Sequence, residues 1–174
     1  KLNDREREAV VRNFKITGVA EDFESGEKLL EYAKKYENLK VCLGIHPEYF
    51  NKYEDFPRVR DQIIKNKDII SGIGEIGIPC FNLPEMDEVM KKLYLDKSVK
   101  LFRSFLEIVK EYDFSVNLHC TGSTAHIGIR ELKKYGIKKA LFHWFNGTED
   151  DLKDIIENGW NISVSPDVIR DEKY

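Results

Sequence analysis

The sequence predicts an α/β protein built on a parallel β-sheet, and two features of the chain lead to that prediction. Short apolar runs alternate along the chain with longer amphipathic stretches. The runs are rich in β-branched and aromatic residues, and they lack the strict apolar/polar alternation of a sheet with one solvated face. We therefore expect strands buried on both faces, in the βαβα order that is typical of parallel sheets covered by helices.

Six candidate strands follow one another along the chain. They are ITGVA (16–20), LKVCLGI (39–45), IISGIGEIG (69–77), SVNLHC (115–120), KALFHW (139–144) and WNISVS (160–165). Each is short and apolar, as expected for a strand of a buried sheet.

The stretches between the strands show helical spacing and helix-end signals. Leu29, Leu30, Ala33 and Tyr36 share one face of a first helix, and Leu95, Val99, Phe102, Leu106 and Val109 share one face of a longer helix expected over about 85–112. A helix over 126–135 should end at Gly136, where a C-terminal glycine belongs. Leu152, Ile155 and Ile156 mark a further helix, which Thr148 should cap in the segment TEDD.

Four of the apolar runs carry a potential metal ligand or acid/base group near their carboxyl end. These groups are His46, Glu75, His119 and His143. Sites in parallel α/β folds form at the carboxyl ends of the strands, so we expect these side chains to lie close together. Imidazoles and a carboxylate suit zinc, manganese and related divalent ions.

Simpler interpretations of the same residues stay open at this point. A single histidine on an apolar strand is more often a hydrogen-bonded core residue than a ligand. Glu75, in the otherwise uncharged SGIGEIGIP, could be neutralised by a lysine or arginine that reaches in from a loop, because a buried carboxylate needs a partner. Trp144 and Phe145 could stack on a nucleobase or simply pack in the core.

Composition and charge narrow the class of protein. The 174 residues are 41% hydrophobic and 34% charged, which suits one sizeable core, and we expect a single domain over 1–174. A net charge of -3 predicts no general affinity for nucleic acid. No apolar run is long enough to span a membrane, so no membrane partner is expected. Three cysteines without zinc-finger spacing favour a reduced, cytoplasmic protein.

Four sequence blocks, taken together, resemble those of the TatD-related metal-dependent hydrolases. The blocks are GIHPEYF, GEIGIP, VNLHCTGSTA and HWFNGTEDDL…ENGWNISVSP, and they occur in the order and at about the spacing of that family. The resemblance implies a (β/α)8 TIM barrel of the amidohydrolase group. Our six candidate strands would be its second to seventh, so we expect this chain to be the larger part of a barrel domain.

The resemblance also implies an activity and a set of site residues. It implies hydrolysis of DNA phosphodiester bonds, as a deoxyribonuclease, with one or two divalent ions that could be zinc, magnesium or manganese. Glu75 would be a metal ligand and catalytic, and His119 and His143 would be further ligands. His46 and Thr121 would face the substrate, which could be DNA, a small phosphodiester or an ester.

Several departures from the family pattern keep other functions open. The chain contains neither the H-x-H ligand pair of the family's first strand nor the E-T-D-x-P block whose aspartate is a ligand and general base. Thr121 replaces an arginine suited to phosphate, and Glu48 replaces a histidine. The alternatives are an amidohydrolase acting on an ester, lactone or amide, and a binding protein whose barrel has lost its metal site.

Overall fold

The computed structural model describes residues 12–169, and its centre is one parallel sheet of six strands. The strands pair in sequence order, each with the next. Their bounds are β1 Ile16–Val19, β2 Leu39–Leu43, β3 Gly72–Gly77, β4 Ser115–His119, β5 Ala140–Phe142 and β6 Asn161–Ile162. Each lies within one of the six runs identified in the sequence, so the predicted α/β class with parallel strands is confirmed.

Five helices connect or follow these strands between Phe23 and Glu157. They are α1 Phe23–Ala33, α2 Phe56–Lys65, α3 Glu88–Tyr112, α4 Ala125–Tyr135 and α5 Glu149–Glu157. The helix α2 was not predicted from the sequence. Short 3-10 turns lie at Phe50–Asp55, Leu83–Glu85, Gly122–Thr124 and Pro166–Ile169.

The helix ends follow the predicted chemistry. The Thr148 hydroxyl accepts a hydrogen bond from the backbone N–H of Asp151, and the Asp151 carboxylate accepts one from the backbone N–H of Thr148. The two bonds form a capping box. Gly136 ends α4 in the left-handed conformation, as expected from its position. Asp87 caps α3 by accepting the N–H groups of Val89 and Met90, so this helix begins slightly later than the sequence suggested.

The sheet curls as part of a barrel and is open between its first and last strands. Within residues 12–169, β1 pairs only with β2, and β6 pairs only with β5. This is the arrangement expected if these strands are the second to seventh of a (β/α)8 barrel. No helix in the described part of the chain is long and apolar enough to cross a membrane.

The core lies between the curled sheet and the helices that cover it. Its largest fully buried side chains come from several elements, and they include Leu43, Ile73, Ile76, Phe102, Phe105, Leu118, Leu132 and Phe142. Burying each contributes about 1.5–3 kcal/mol relative to an exposed position. The long helix α3 packs Phe105 edge-on against Phe56 of α2, with ring centroids 4.9 Å apart.

An irregularity in β3 sets the position of the carboxylate that it carries. Ile73 pairs with Val116 and Ile76 pairs with Leu118, so β3 takes three steps where β4 takes two. Such bulges re-aim side chains and occur often beside active sites. The extra residue falls in the segment that holds Glu75.

Gly77 allows the ends of β3 and β4 to approach closely. Its φ of +147° is open to glycine, and an added Cβ would lie 2.2 Å from the backbone oxygen of His119. The next residue, Ile78, donates its N–H to that same oxygen at 2.9 Å. The backbone of His119 can therefore lie this close to β3 only because residue 77 is a glycine, which has no side chain.

Two glycine substitutions should separate conformational cost from crowding. Gly136 also has a positive φ, +70°, but an added Cβ would meet nothing within 4 Å. Gly136→Ala should therefore lower the free energy of unfolding by only about 1 kcal/mol. Gly77→Ala should lower it by roughly 2–4 kcal/mol, because it adds a backbone clash to the same strain. Urea denaturation would measure both, and equal costs would contradict the close approach described here.

Candidate metal centre

Each of the four predicted strand-end residues lies at the same edge of the sheet. Glu75 lies in β3, His119 ends β4, and His143 directly follows β5. His46 lies in the loop after β2, where its backbone N–H donates to the backbone oxygen of Glu21 at 2.8 Å. The carboxyl ends of parallel strands meet at one edge, which explains why residues so distant in sequence meet there.

The centre of the site is Glu75 with two histidines. Glu75 Oε1 lies 3.4 Å from His119 Nδ1 and 3.9 Å from His46 Nε2. One ligand atom from each of the three residues lies within 4.8 Å of the others. The side chains of Glu75 and His119 are 12% and 7% exposed, so the cluster is held away from bulk water.

The partners of Glu75 are imidazoles. Among the described residues, its ion pairs are with His46 and His119, and no lysine or arginine pairs with it. Burial acts to raise the pKa of Glu75, but the hydrogen bond from His119, and the positive charge that the nearby histidines carry at the acidic pH where a carboxyl group titrates, hold it below its usual value. Glu75 is therefore ionised at neutral pH.

A second carboxylate, Glu48, lies on the opposite side of the His119 ring. Its Oε1 lies 3.4 Å from His119 Nε2. The backbone N–H groups of Cys80 and Phe81 donate to Oε1 at 2.6 and 2.8 Å, and that of Asn82 donates to Oε2 at 3.1 Å. Burial opposes ionisation, but the bonds from His119 and these three N–H groups lower the pKa of Glu48 to about 2.

His119 therefore lies between two carboxylates, one at each ring nitrogen. Burial acts to lower its pKa, but the bonds to Cys80, Glu48 and Glu75 together raise it above its ordinary value. Of the two nitrogens, Nδ1 faces Glu75 and His46. Nε2 faces the carboxylate of Glu48, which already accepts hydrogen bonds from three backbone N–H groups. A metal ion suits the Nδ1 side, with Nε2–H donating to Glu48 as in carboxylate–histidine–metal triads.

The hydrogen bonding of His46 favours a donor at Nε2. The backbone N–H of Glu48 donates to His46 Nδ1 at 3.3 Å, so the proton of a neutral ring belongs on Nε2. Burial and the nearby His119 lower the pKa of His46, so the ring is neutral at neutral pH. An Nε2–H group fits the substrate-facing role expected from sequence better than that of a ligand.

The other two predicted site residues lie beside this cluster. His143 is not part of the groups of ligand atoms lying within 4.8 Å of one another in residues 12–169, and its Nδ1 is 3.2 Å from Ser163 Oγ. Thr121 is 5% exposed, and its hydroxyl bonds the loop that carries Trp144 and Asn146. Their roles as ligand and substrate contact stay predictions.

Two residues of the site were not assigned from sequence. Glu48 was noted only as a departure from the family pattern, and Cys80 was counted only as a cysteine. Cys80 Sγ lies 3.7 Å from His119 Nε2, and with Glu48 these residues form a second group of close potential ligands. The position of Glu48 two residues after His46 was the available signal.

Comparison with known proteins assigns this chain to a family. The family model described as TatD related DNase matches residues 2–173. The chain belongs to the TatD-related DNase family. This confirms the resemblance carried by the four sequence blocks.

Individual TatD relatives agree with this placement. An uncharacterized metal-dependent hydrolase of Haemophilus influenzae is 28% identical over 99% of this chain and 69% of its own length. A putative deoxyribonuclease of Danio rerio is 31% identical over 91% of this chain and 60% of its own length.

A solved structure supports the fold and shows how much of it this chain contains. The crystal structure of a TatD family hydrolase from Entamoeba histolytica superposes with a TM-score of 0.70 at 24% identity, over 91% of this chain and 53% of that one. The chain thus spans 53–69% of the length of these three proteins. Its organisation as a single domain stays a prediction.

The charges of the site predict a pH-dependent affinity for metal. Glu75 is already ionised and His46 is already neutral near pH 7, so neither has to lose a proton on binding. His119 must lose one, because its raised pKa keeps it protonated. The apparent affinity for Zn²⁺ should therefore rise by about tenfold per pH unit between about pH 6 and 8, since protons compete with the ion. Competition with a chelating dye would measure it.

The slope should depend on Glu48. Glu48→Gln removes the charge beside Nε2, which should lower the pKa of His119 and flatten the dependence. Glu54→Gln, at an exposed position in the neighbouring 3-10 turn, is a matched control that should keep the wild-type slope. A pH-independent affinity in the wild-type protein would exclude protonated His119 as the competing group.

Proposed function

We propose that this protein is a metal-dependent hydrolase that cleaves phosphodiester bonds, with DNA as its substrate. The observation that carries the proposal is the buried contact of Glu75 Oε1 with His119 Nδ1 at the strand ends of a TatD-family fold. Relatives whose names describe a metal-dependent hydrolase and a deoxyribonuclease support it.

The donor set fits a divalent ion. Glu75 offers a carboxylate oxygen and His119 offers Nδ1, two of the ligand types that zinc and manganese accept. The hydroxyl oxygen of Ser163 can accept hydrogen bonds from both Trp144 N–H and His143 Nδ1–H. The lone pair of His143 Nε2 would then be the third metal-ligating atom. We assign Glu75, His119 and His143 as ligands, with zinc, magnesium and manganese as the candidate ions.

The remaining polar groups would orient the substrate. When bound, a divalent ion supplies Lewis-acid polarisation of the scissile phosphoryl oxygen and activates water for attack. His46 would donate its Nε2–H to a phosphoryl oxygen at the same place, where its proton is directed by the bond at Nδ1. Glu48 would hold His119 in the orientation that ligation needs. Glu75 would thus act in catalysis as a ligand rather than as a proton carrier.

An ester, lactone or amide could be hydrolysed by the same donor set, since its carbonyl would be polarised in the same way. A panel containing single-stranded DNA, nucleotides and simple esters, run with each candidate ion, would distinguish these substrate classes. Turnover of esters without turnover of DNA would contradict the phosphodiester proposal, and absence of metal binding would favour a non-catalytic barrel.

Removal of either central ligand should abolish activity in the full-length protein. Glu75→Ala and His119→Ala should each lower metal-dependent hydrolysis of DNA by more than about 100-fold, because even outer-shell substitutions at metal sites cost 10–100-fold. Circular dichroism should show the wild-type fold in both variants, whereas the temperature of thermal unfolding should fall, because each substitution leaves a buried charged group without its partner.

His126→Ala is the matched control for the histidine variant. His126 is exposed on α4 and is not part of the cluster, so this variant should keep wild-type activity. Metal content measured in the same samples should fall with Glu75→Ala and His119→Ala only. Retention of full activity by His119→Ala would sink the proposed metal centre.

A further inference from the structure

A cavity opens directly beside the metal centre. It has a volume of about 270 Å³ and is lined by Cys80, Phe81, Thr121, Gly122, Trp144 and Asn146, among others. Its walls touch the site at two places. The Phe81 ring lies 5.2 Å from the His119 ring, and the Trp144 ring lies 4.9 Å from the His143 ring.

Two aromatic side chains of this cavity are unusually exposed for their size. Phe81 is 65% exposed and Trp144 is 50% exposed. Exposed apolar rings beside a polar site are informative, because most large aromatic side chains gain free energy by being buried. Trp144 is stacked on His143 with an angle of 22° between the rings, so its orientation is already fixed.

The backbone holds Trp144 in a conformation that bulky residues avoid. Its φ is +46°, in the left-handed region, which costs about 1 kcal/mol or more for a non-glycine residue. Hydrogen bonds on both sides maintain it. Trp144 N–H donates to Ser163 Oγ at 3.0 Å, and Trp144 C=O accepts from Thr121 Oγ1 at 3.1 Å. Such strain clusters at ligand sites, where the surrounding structure imposes it.

The loops that form the cavity wall are joined to each other. Thr121 Oγ1 accepts the N–H of Asn146 at 2.8 Å, and Gly122 N–H donates to the backbone oxygen of Asn146 at 2.6 Å. The hydroxyl of Thr121 is therefore used to fix the loop that presents Trp144. The exposed rings of Phe81 and Trp144 are therefore the main surface of the cavity wall that a ligand could contact.

We propose that this cavity is a subsite for an unpaired nucleobase, which stacks on Trp144 with Phe81 as the second wall. The proposal rests on the proposed function, because it places the base next to a phosphodiester held at Glu75 and His119. Aromatic rings with fixed orientation suit the flat face that every nucleobase shares, and stacking of this kind is tolerant of sequence. A base in a duplex is already stacked and paired, so the subsite selects single strands or frayed ends.

Oligonucleotides with and without bases would test the subsite. The full-length protein would be titrated in chelator with a fluorescently labelled single-stranded DNA, and with the same backbone carrying abasic sites, using anisotropy to measure affinity. The wild-type protein should bind the base-bearing strand more tightly. Trp144→Ala should weaken that binding by roughly 5- to 100-fold and leave the abasic strand unaffected, as expected for loss of one stacked base.

Conservative and remote variants complete the design. Trp144→Phe keeps a ring and should restore most of the preference for bases, whereas Phe81→Ala should reduce it. Tyr32→Ala removes a 45% exposed ring on α1 that does not line the cavity, and it should have no effect. Equal binding of both strands, or no loss in Trp144→Ala, would overturn the subsite.

The same strands incubated with metal would separate this inference from the proposed function. Hydrolysis with no dependence on Trp144 would overturn the subsite and leave the nuclease proposal in place. Base-dependent binding through Trp144 without hydrolysis under any candidate ion would support the subsite and contradict the nuclease proposal. If neither strand binds in chelator, the subsite is overturned, and the hydrolysis measured with metal still decides the nuclease proposal.

Discussion

The site depends on one imidazole held between two carboxylates. His119 faces Glu75 with Nδ1 and Glu48 with Nε2, each at 3.4 Å, and all three side chains are largely buried. Neither carboxylate could remain ionised at this depth without partners, since burial alone disfavours charge. Glu48 is stabilised by hydrogen bonds from three backbone N–H groups, and Glu75 is stabilised by contacts with histidines. Glu48 holds Nε2 of the ring, and Nδ1 can bind a cation beside Glu75 once the ring has lost its proton.

The sheet geometry makes this contact possible. The bulge in β3 shifts the segment around Glu75 relative to β4, and Gly77 lets the end of β3 lie against the backbone of His119. A side chain at position 77 would force the two strands apart at the point where their ligands meet. The parallel arrangement then brings His46 and His143 to the same edge from β2 and β5. The positions of the functional groups are thus set by backbone packing before any side-chain chemistry is considered.

Much of this could be predicted from the sequence, because the signals were local. The apolar runs identified all six strands, and Thr148 and Gly136 marked helix ends where the structure has them. The helix Phe56–Lys65 was not found, although Phe56, Val59 and Ile63 recur at helical spacing along it. For the site, Glu75 and His119 were expected to meet, and they do. The roles of Glu48 and Cys80 could not be predicted, because the ionised Glu48 is stabilised by N–H groups 32 to 34 residues away, a contact that only the fold creates. The tautomer of His46 likewise depends on a backbone bond.

The segment Cys80–Asn82 belongs to two neighbourhoods at once. Its N–H groups hold Glu48 against His119, and its Phe81 ring forms a wall of the adjoining cavity. A ligand that moves the backbone of Phe81 together with its ring would also move a donor of Glu48, and would so alter how His119 is held. A ligand in the cavity that shifts this backbone would thus be coupled thermodynamically to a cation bound at His119. Reciprocity requires that each ligand change the affinity of the other by the same factor, whatever its sign.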